Sequence, residues 1–250
     1  MRWDESTGMF SRPFFDWRRT DEENRAFLVL SARWSAEAYD REQRKALETA
    51  NQFFDPDRHD GDEHVEVFDR AVGGLWPSSY AWMTESLVVR NGVSAFEVYL
   101  EKAVLELTRR FRVTVGGRRR ALRLETPGHY QSPPWSTLVK AHRALGTVVD
   151  TDAVRWARDL RHLLTHQNGE LRSQKLVEKF RDDQAESGLE SYERSEVGGR
   201  VRLGAGRVLA TLDMLAEVVR AADRAVWELE REQPSYAELG LDAYLEPAPE

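Results

Sequence analysis

Residues 153–171 read AVRWARDLRHLLTHQNGEL, and the fold turns on how that stretch is read. At about 100° per residue, Ala153, Trp156, Leu160, Leu163 and Leu164 gather on one side of a helix, while Arg158, Arg161, His162, Thr165 and His166 gather on the other. The first side predicts core and the second a polar, chemistry-bearing face. His162 and His166 stand one helical turn apart with Arg161 beside them, so two imidazoles and a permanent cation share a patch. Asn168-Gly169 is a helix-stop signal, which leaves His166 in the last turn.

Three readings of this face are open. Arg and His are welcome near a helix C-terminus because of the helix dipole, so the patch reads first as a solvated surface. An i, i+4 histidine pair is also a zinc arrangement, although Leu163 stands where an HExxH motif needs Glu, and the chain has no cysteine to complete a ligand set. The third reading is acid–base cleavage of a phosphodiester. Imidazole titrates near pH 6.5 and exchanges protons, while a guanidinium neutralises charge on a pentacoordinate phosphorus. RNA supplies its own tethered nucleophile in the ribose 2′-OH.

The segment Arg161-His162-Leu163-Leu164-Thr165-His166 resembles the R-[polar]-x-x-x-H signature of HEPN domains, in their RiboL-PSP-like branch. Gln167 to Leu171 resembles the turn that follows that histidine, Val89 to Leu100 an earlier helix of the family, and Gly199 to Leu203 leading into 210–226 its closing segment and last helix. The resemblance covers roughly residues 80–228. It implies a metal-independent endoribonuclease that needs no cofactor and leaves a 2′,3′-cyclic phosphate, acting as a toxin or antiviral defence effector. It assigns proton transfer to His166, phosphorane stabilisation to Arg161 and a polar positioning role to His162, with Thr165 and Asn168 in support, and Arg158 on the same side of the helix is expected to contact RNA. Two-fold dimerisation is implied too, since one helix offers its groups from one side and in-line transfer needs an acid and a base on opposite sides of phosphorus. The alternative is a non-catalytic HEPN-like module that binds RNA or a partner protein, such as an antitoxin or another defence component.

The rest of the chain predicts the frame. With 41% hydrophobic and 32% charged residues among 250, this is the balance of a globular protein. The absence of cysteine removes disulfides and thiolate chemistry. No apolar run approaches the roughly 20 residues of a membrane span, and Asp4 and Glu5 replace the basic start of an export signal, so the expected location is cytoplasmic. A net charge of −7 argues against a general nucleic-acid coat, and any RNA contact is expected to be local.

In chain order, residues 1–20 form an aromatic arm that is too apolar for a free tail and is expected to lie in a groove of the bundle or on a partner subunit. Thr20-Asp21-Glu22-Glu23 reads as an N-cap, opening a helix with Phe27, Leu30, Trp34, Ala38, Leu47 and Ala50 as its apolar face. The acidic stretch 55–64 breaks it. The longest helical pattern starts at Ser78 and runs to Phe111, with Gly92 its one breaker and Glu97 near the apolar side, where it is expected to position Arg161. Arg112 to Glu125 predicts a two-residue hairpin around Gly116-Gly117, carrying Arg118, Arg119 and Arg120 as either a solvated loop or an RNA-backbone contact. Short helices follow over 135–145 and 171–184, then a polar stretch to Gly199 expected to be mobile, and a final helix over 205–230. His129 and His142 are read as structural. The tail is expected to dock through its aromatic and aliphatic residues, and 247–250 to fray. The sum is an all-α, up-and-down bundle of four to five main helices with an inserted arginine-rich β-hairpin. It divides into an arm (1–20), a single helical domain (21–232) and a tail (233–250).

Overall fold

The computed structural model describes residues 2–53, 62–128, 132–181, 195–232 and 237–248. The chain is mostly helical with one small antiparallel sheet. Its helices are α1 (Arg12–Phe53), α2 (Glu63–Val72), α3 (Pro77–Thr108), α4 (Trp135–Ala144), α5 (Asp152–His166), α6 (Gln174–Phe180) and α7 (Ala205–Glu232). The strands are β1 (Arg112–Val115), β2 (Arg118–Leu124) and β3 (Leu245–Pro247). Two compact units are present. One comprises Met1–Glu22, Val89–Gln167 and Leu209–Glu250, and the other Glu23–Val88 and Asn168–Val208. The acidic stretch 55–61, His129 and the polar stretch 182–194 lie outside the described residues.

The first unit holds the Arg/His helix. Its core draws Val93, Phe96, Leu100, Val104 and Leu107 from α3, Leu160 and Leu164 from α5, and Leu212, Leu215, Val219 and Val226 from α7, all nearly or fully buried. This is the three-to-four spacing that sets one apolar stripe on each helix. Gly92 is not a flaw in α3. A Cβ built there would lie 2.5 Å from Leu212 Cδ2, so glycine makes the room that this methyl group of α7 occupies.

The arm belongs to this same unit. Helix α1 begins at Arg12 rather than at Thr20, because Ser11 caps it: its hydroxyl accepts from the Phe14 N–H at 3.2 Å. Pro13 falls in the first turn, where its missing N–H is no loss. Thr20 is mid-helix, its hydroxyl donating back to the Asp16 carbonyl at 3.3 Å. The arm is tied to its own chain through Asp223 of α7. That buried carboxylate accepts from Trp3 Nε1 at 2.8 Å, from the Ser11 amide at 3.1 Å, from the Ser11 hydroxyl and from the Tyr99 hydroxyl at 3.3 Å. Burial pushes its pKa up, opposed by these hydrogen bonds. Trp3 packs edge-on against fully buried Phe14, and Arg220 pairs with Glu5 at 2.8 Å.

Strands β1 and β2 pair as the hairpin read from the sequence, with Val115 opposite Arg118 across Gly116-Gly117 at φ 57° and 79°. The sheet has a third strand that the sequence did not announce. Leu245–Pro247 pairs with Leu122–Leu124, and the Ala248 N–H donates to the Ala121 carbonyl at 2.8 Å, so Pro247 and Ala248 are held instead of frayed. Leu122 and Leu124 are buried, which gives the tail an apolar surface to follow.

His142 is fully buried on α4, its Nε2 2.9 Å from the Leu100 carbonyl and its Nδ1 3.1 Å from the Thr147 hydroxyl. Burial lowers its pKa from 6.5 to about 4. The folded protein therefore refuses a proton that the unfolded chain accepts, and stability falls as the pH drops through that window. A loss of about 3 kcal/mol between pH 6.5 and 4 is expected from this group. Urea midpoints measured against pH should show a shallower acid slope in His142→Gln than in the wild type, and parallel slopes would contradict the assignment.

In the second unit, α1 departs from its expected face. Phe27, Leu30 and Trp34 are 44%, 38% and 61% exposed, while Leu28, Ser31 and Asn24 are buried. The apolar stripe is real, but the packed seam lies beside it, with two polar residues included. Helix α2 closes on Gly73 in the left-handed region, and Tyr39 donates to the Leu75 carbonyl at 2.8 Å.

Candidate functional site

Helix α5 starts where the cap chemistry places it. The Thr151 hydroxyl accepts from the Val154 N–H at 3.2 Å, and Asp152 adds a carboxylate to the first turn, where the helix dipole favours it. The helix stops at His166, with Asn168 at φ 50° and Gly169 at φ 76° immediately beyond. Its buried side is Val154, Ala157, Leu160, Leu163 and Leu164. Ala153 is exposed and Trp156 half-buried, so the seam is rotated slightly from the face read out of the sequence. Leu160, Leu163 and Leu164 are common to both.

The opposite side is as expected. His162, Thr165 and His166 are exposed and Arg161 is half-buried. The two imidazole rings lie with centroids 4.5 Å apart, tilted by 45°. The Thr165 hydroxyl donates to the Arg161 carbonyl at 2.8 Å, so its proton serves the helix backbone and only its lone pairs face outward. Asn168 is exposed, and its left-handed backbone makes its role conformational.

Glu97 of α3 reaches this face and holds two cations. Its Oε1 accepts from Arg158 Nε at 2.7 Å, and its Oε2 lies 3.8 Å from Arg161 Nη1. The nearer partner is thus Arg158, with Arg161 second. Arg158 is further fixed by its guanidinium carbon 3.9 Å from the centroid of the Trp135 ring. Three segments distant in sequence, from α3, α4 and α5, so build one charged wall.

That wall encloses a cleft of about 300 Å³ lined by Ser94, Glu97 and Glu101 of α3, Trp135 of α4, and Arg158 and Arg161 of α5, among others. Glu101 is the second acid, one turn from Glu97. Burial raises its pKa, and Lys102 partly opposes that. No known protein family, curated protein or solved structure matches the chain. The site therefore rests on its own geometry.

Of the residues the sequence singled out, Glu97, Arg158 and Arg161 are brought together at the cleft, while His162 and His166 pack against each other on the outward side of α5 and are not among the residues that line it. Arg118 and Arg119 are exposed on the hairpin and Arg120 half-buried, and none of the three is among the residues that line the cleft. Trp135 and Glu101 went unnoticed in the sequence. The available signals were an i, i+4 acid pair on an otherwise apolar helix and a tryptophan directly after Pro133-Pro134. Among the described residues, no group of three or more His, Cys, Asp or Glu side chains is placed to hold a metal ion.

Proposed function

We propose that the protein is a metal-independent endoribonuclease of HEPN type. The observation that carries this reading is the outward side of α5, which exposes two imidazoles with centroids 4.5 Å apart and bears Arg161, whose guanidinium lines a cleft that neither histidine lines. His166 takes the proton from the 2′-OH or returns one to the 5′-leaving oxygen. The 2′-oxygen forms its bond to phosphorus as the P–O5′ bond breaks, which leaves a 2′,3′-cyclic phosphate and a 5′-hydroxyl. Arg161 offsets the charge on the equatorial oxygens. His162 orients the phosphate or its neighbouring imidazole. The biological setting proposed is a toxin or antiviral effector, held in check by a partner.

A single helix delivers these groups from one side of phosphorus only. A second copy related by a two-fold axis supplies the opposite side, and it doubles the local positive charge of a chain with net charge −7. Sedimentation at working concentration is expected to give a homodimer, and a strictly monomeric, fully active protein would remove this part of the proposal.

A second reading, a non-catalytic module that binds RNA or protein, is favoured by the Glu97 ion pairs, which tie Arg158 through its Nε, and Arg161 more loosely through Nη1, to the protein itself and leave their remaining N–H groups for binding. Sequencing RNA ends after brief expression of the wild type and of His166→Ala separates the two. New 2′,3′-cyclic ends, formed by the wild type alone and insensitive to chelators, support the nuclease; no new ends in either sample support the binding module.

A further inference from the structure

The cleft beside Arg161 holds an acid that the protein itself leaves unmatched. Glu97 is spent on Arg158 and Arg161. Glu101 lines the same cleft, and among the described residues its one interaction partner is Lys102, which itself lies 3.7 Å from Asp16. Glu101 is half-buried and accepts no hydrogen bond from a described side chain or backbone group, so its two oxygens are available to a ligand that brings donors with it.

The neighbouring groups narrow the ligand. Arg158 and Arg161 suit a phosphate, since a guanidinium fork matches its oxygens. The cleft volume, about 300 Å³, sits at the lower end of small-molecule sites, which fits a single nucleotide unit. Glu97 and Glu101 are four residues apart on one helix, so the cation pair and the second acid are offset by about 6 Å along its axis. That offset separates an anion-holding end from a donor-seeking end on the scale of one nucleotide.

The bases differ sharply in what they offer a carboxylate. Guanine presents N1–H and N2–H₂ side by side, two donors that meet the two oxygens. Adenine and cytosine present one amino group beside a ring nitrogen lone pair that repels the second oxygen. Uracil presents one N–H flanked by two carbonyls. Only guanine pairs bidentately without repulsion.

We propose that this cleft is a guanine-nucleotide subsite, in which Glu101 accepts from N1–H and N2–H₂ of the base while Arg161, with Arg158, holds the adjoining phosphate. The proposal deepens the nuclease reading, and rests on it for the claim that the bound guanosine belongs to an RNA strand. Glu101 is then a specificity residue and takes no part in proton transfer.

The test is equilibrium titration of the wild-type chain with GMP, AMP, CMP and UMP separately, followed by calorimetry. GMP is expected to bind at least about tenfold tighter than the other three, the discrimination of one good bidentate contact. Glu101→Gln presents one donor where an acceptor is needed, and should bring GMP to the level of the others. Arg161→Ala should weaken all four alike. Equal affinities for the four nucleotides, or no binding, in the wild type would overturn the proposal, as would an undiminished GMP preference in a folded Glu101→Gln. Because binding is read without cleavage, guanine selectivity in a protein that cuts no RNA would retain this site and remove only the nuclease reading. Cleavage without guanine selectivity would do the reverse.

Discussion

Replacing His166 with alanine is expected to slow RNA cleavage by about 10²- to 10⁴-fold, the contribution of a positioned proton-transfer group. Arg161→Ala is expected to cost about 10²- to 10³-fold, comparable to the loss of one group that stabilises charge in the transition state. Neither change should unfold the chain. His166 is exposed, and surface substitutions of that kind usually alter stability by no more than about 0.5 kcal/mol. Arg161 is half-buried, but its ion pair to Glu97 spans 3.8 Å and Arg158 remains to neutralise that acid at 2.7 Å. Single-turnover cleavage of a labelled RNA, with circular dichroism on the same samples, checks both. Variants that cut at the wild-type rate would end the catalytic assignment of α5.

Asp223→Ala is expected to destabilise the chain by about 3–5 kcal/mol, because it strands several buried or half-buried donors at once. Trp3 Nε1, the Ser11 amide, the Ser11 hydroxyl and the Tyr99 hydroxyl all converge on that one carboxylate. In a chain of this length the melting temperature should fall by roughly 10 °C. Trp3→Phe is the control. It removes one of these bonds while keeping an aromatic ring near Phe14, and should cost only about 1 kcal/mol. If thermal melts place the two variants together, the arm is not held through Asp223.

What the sequence made legible was local. The outward Arg161, His162 and His166 follow from a period of 3.6 residues, and the stop at Asn168-Gly169 follows from backbone preference; both survive in the structure because neither depends on a distant partner. The Gly116-Gly117 hairpin was readable for the same reason. Where two local signals competed, tertiary contacts decided. Thr20 and Ser11 are both cap residues by type, and Ser11 caps because Asp223, more than 200 positions later, fixes its hydroxyl. The face of α1 could not be read from spacing, since Leu28 in the seam and Phe27 and Trp34 outside it are equally apolar. Nor could the cleft, whose walls come from residues 94–101, 132–138 and 158–161. Glu97 was placed near Arg161 by its apolar surroundings alone, yet its tighter partner, Arg158, was assigned to RNA. Strand β3 escaped notice because three residues carry no periodicity, and their pairing with Leu122–Leu124 is wholly non-local.

The approach of α7 to α3 at Gly92 carries an evolutionary consequence. Leu212 is 1% exposed, so its methyl group cannot swing out into solvent and must repack within the core to admit a new side chain at position 92. Drift at the two sites is therefore coupled: an alanine or serine at 92 is accommodated most easily alongside a shorter residue at 212. Lineages descended from this chain should exchange the two positions as a pair.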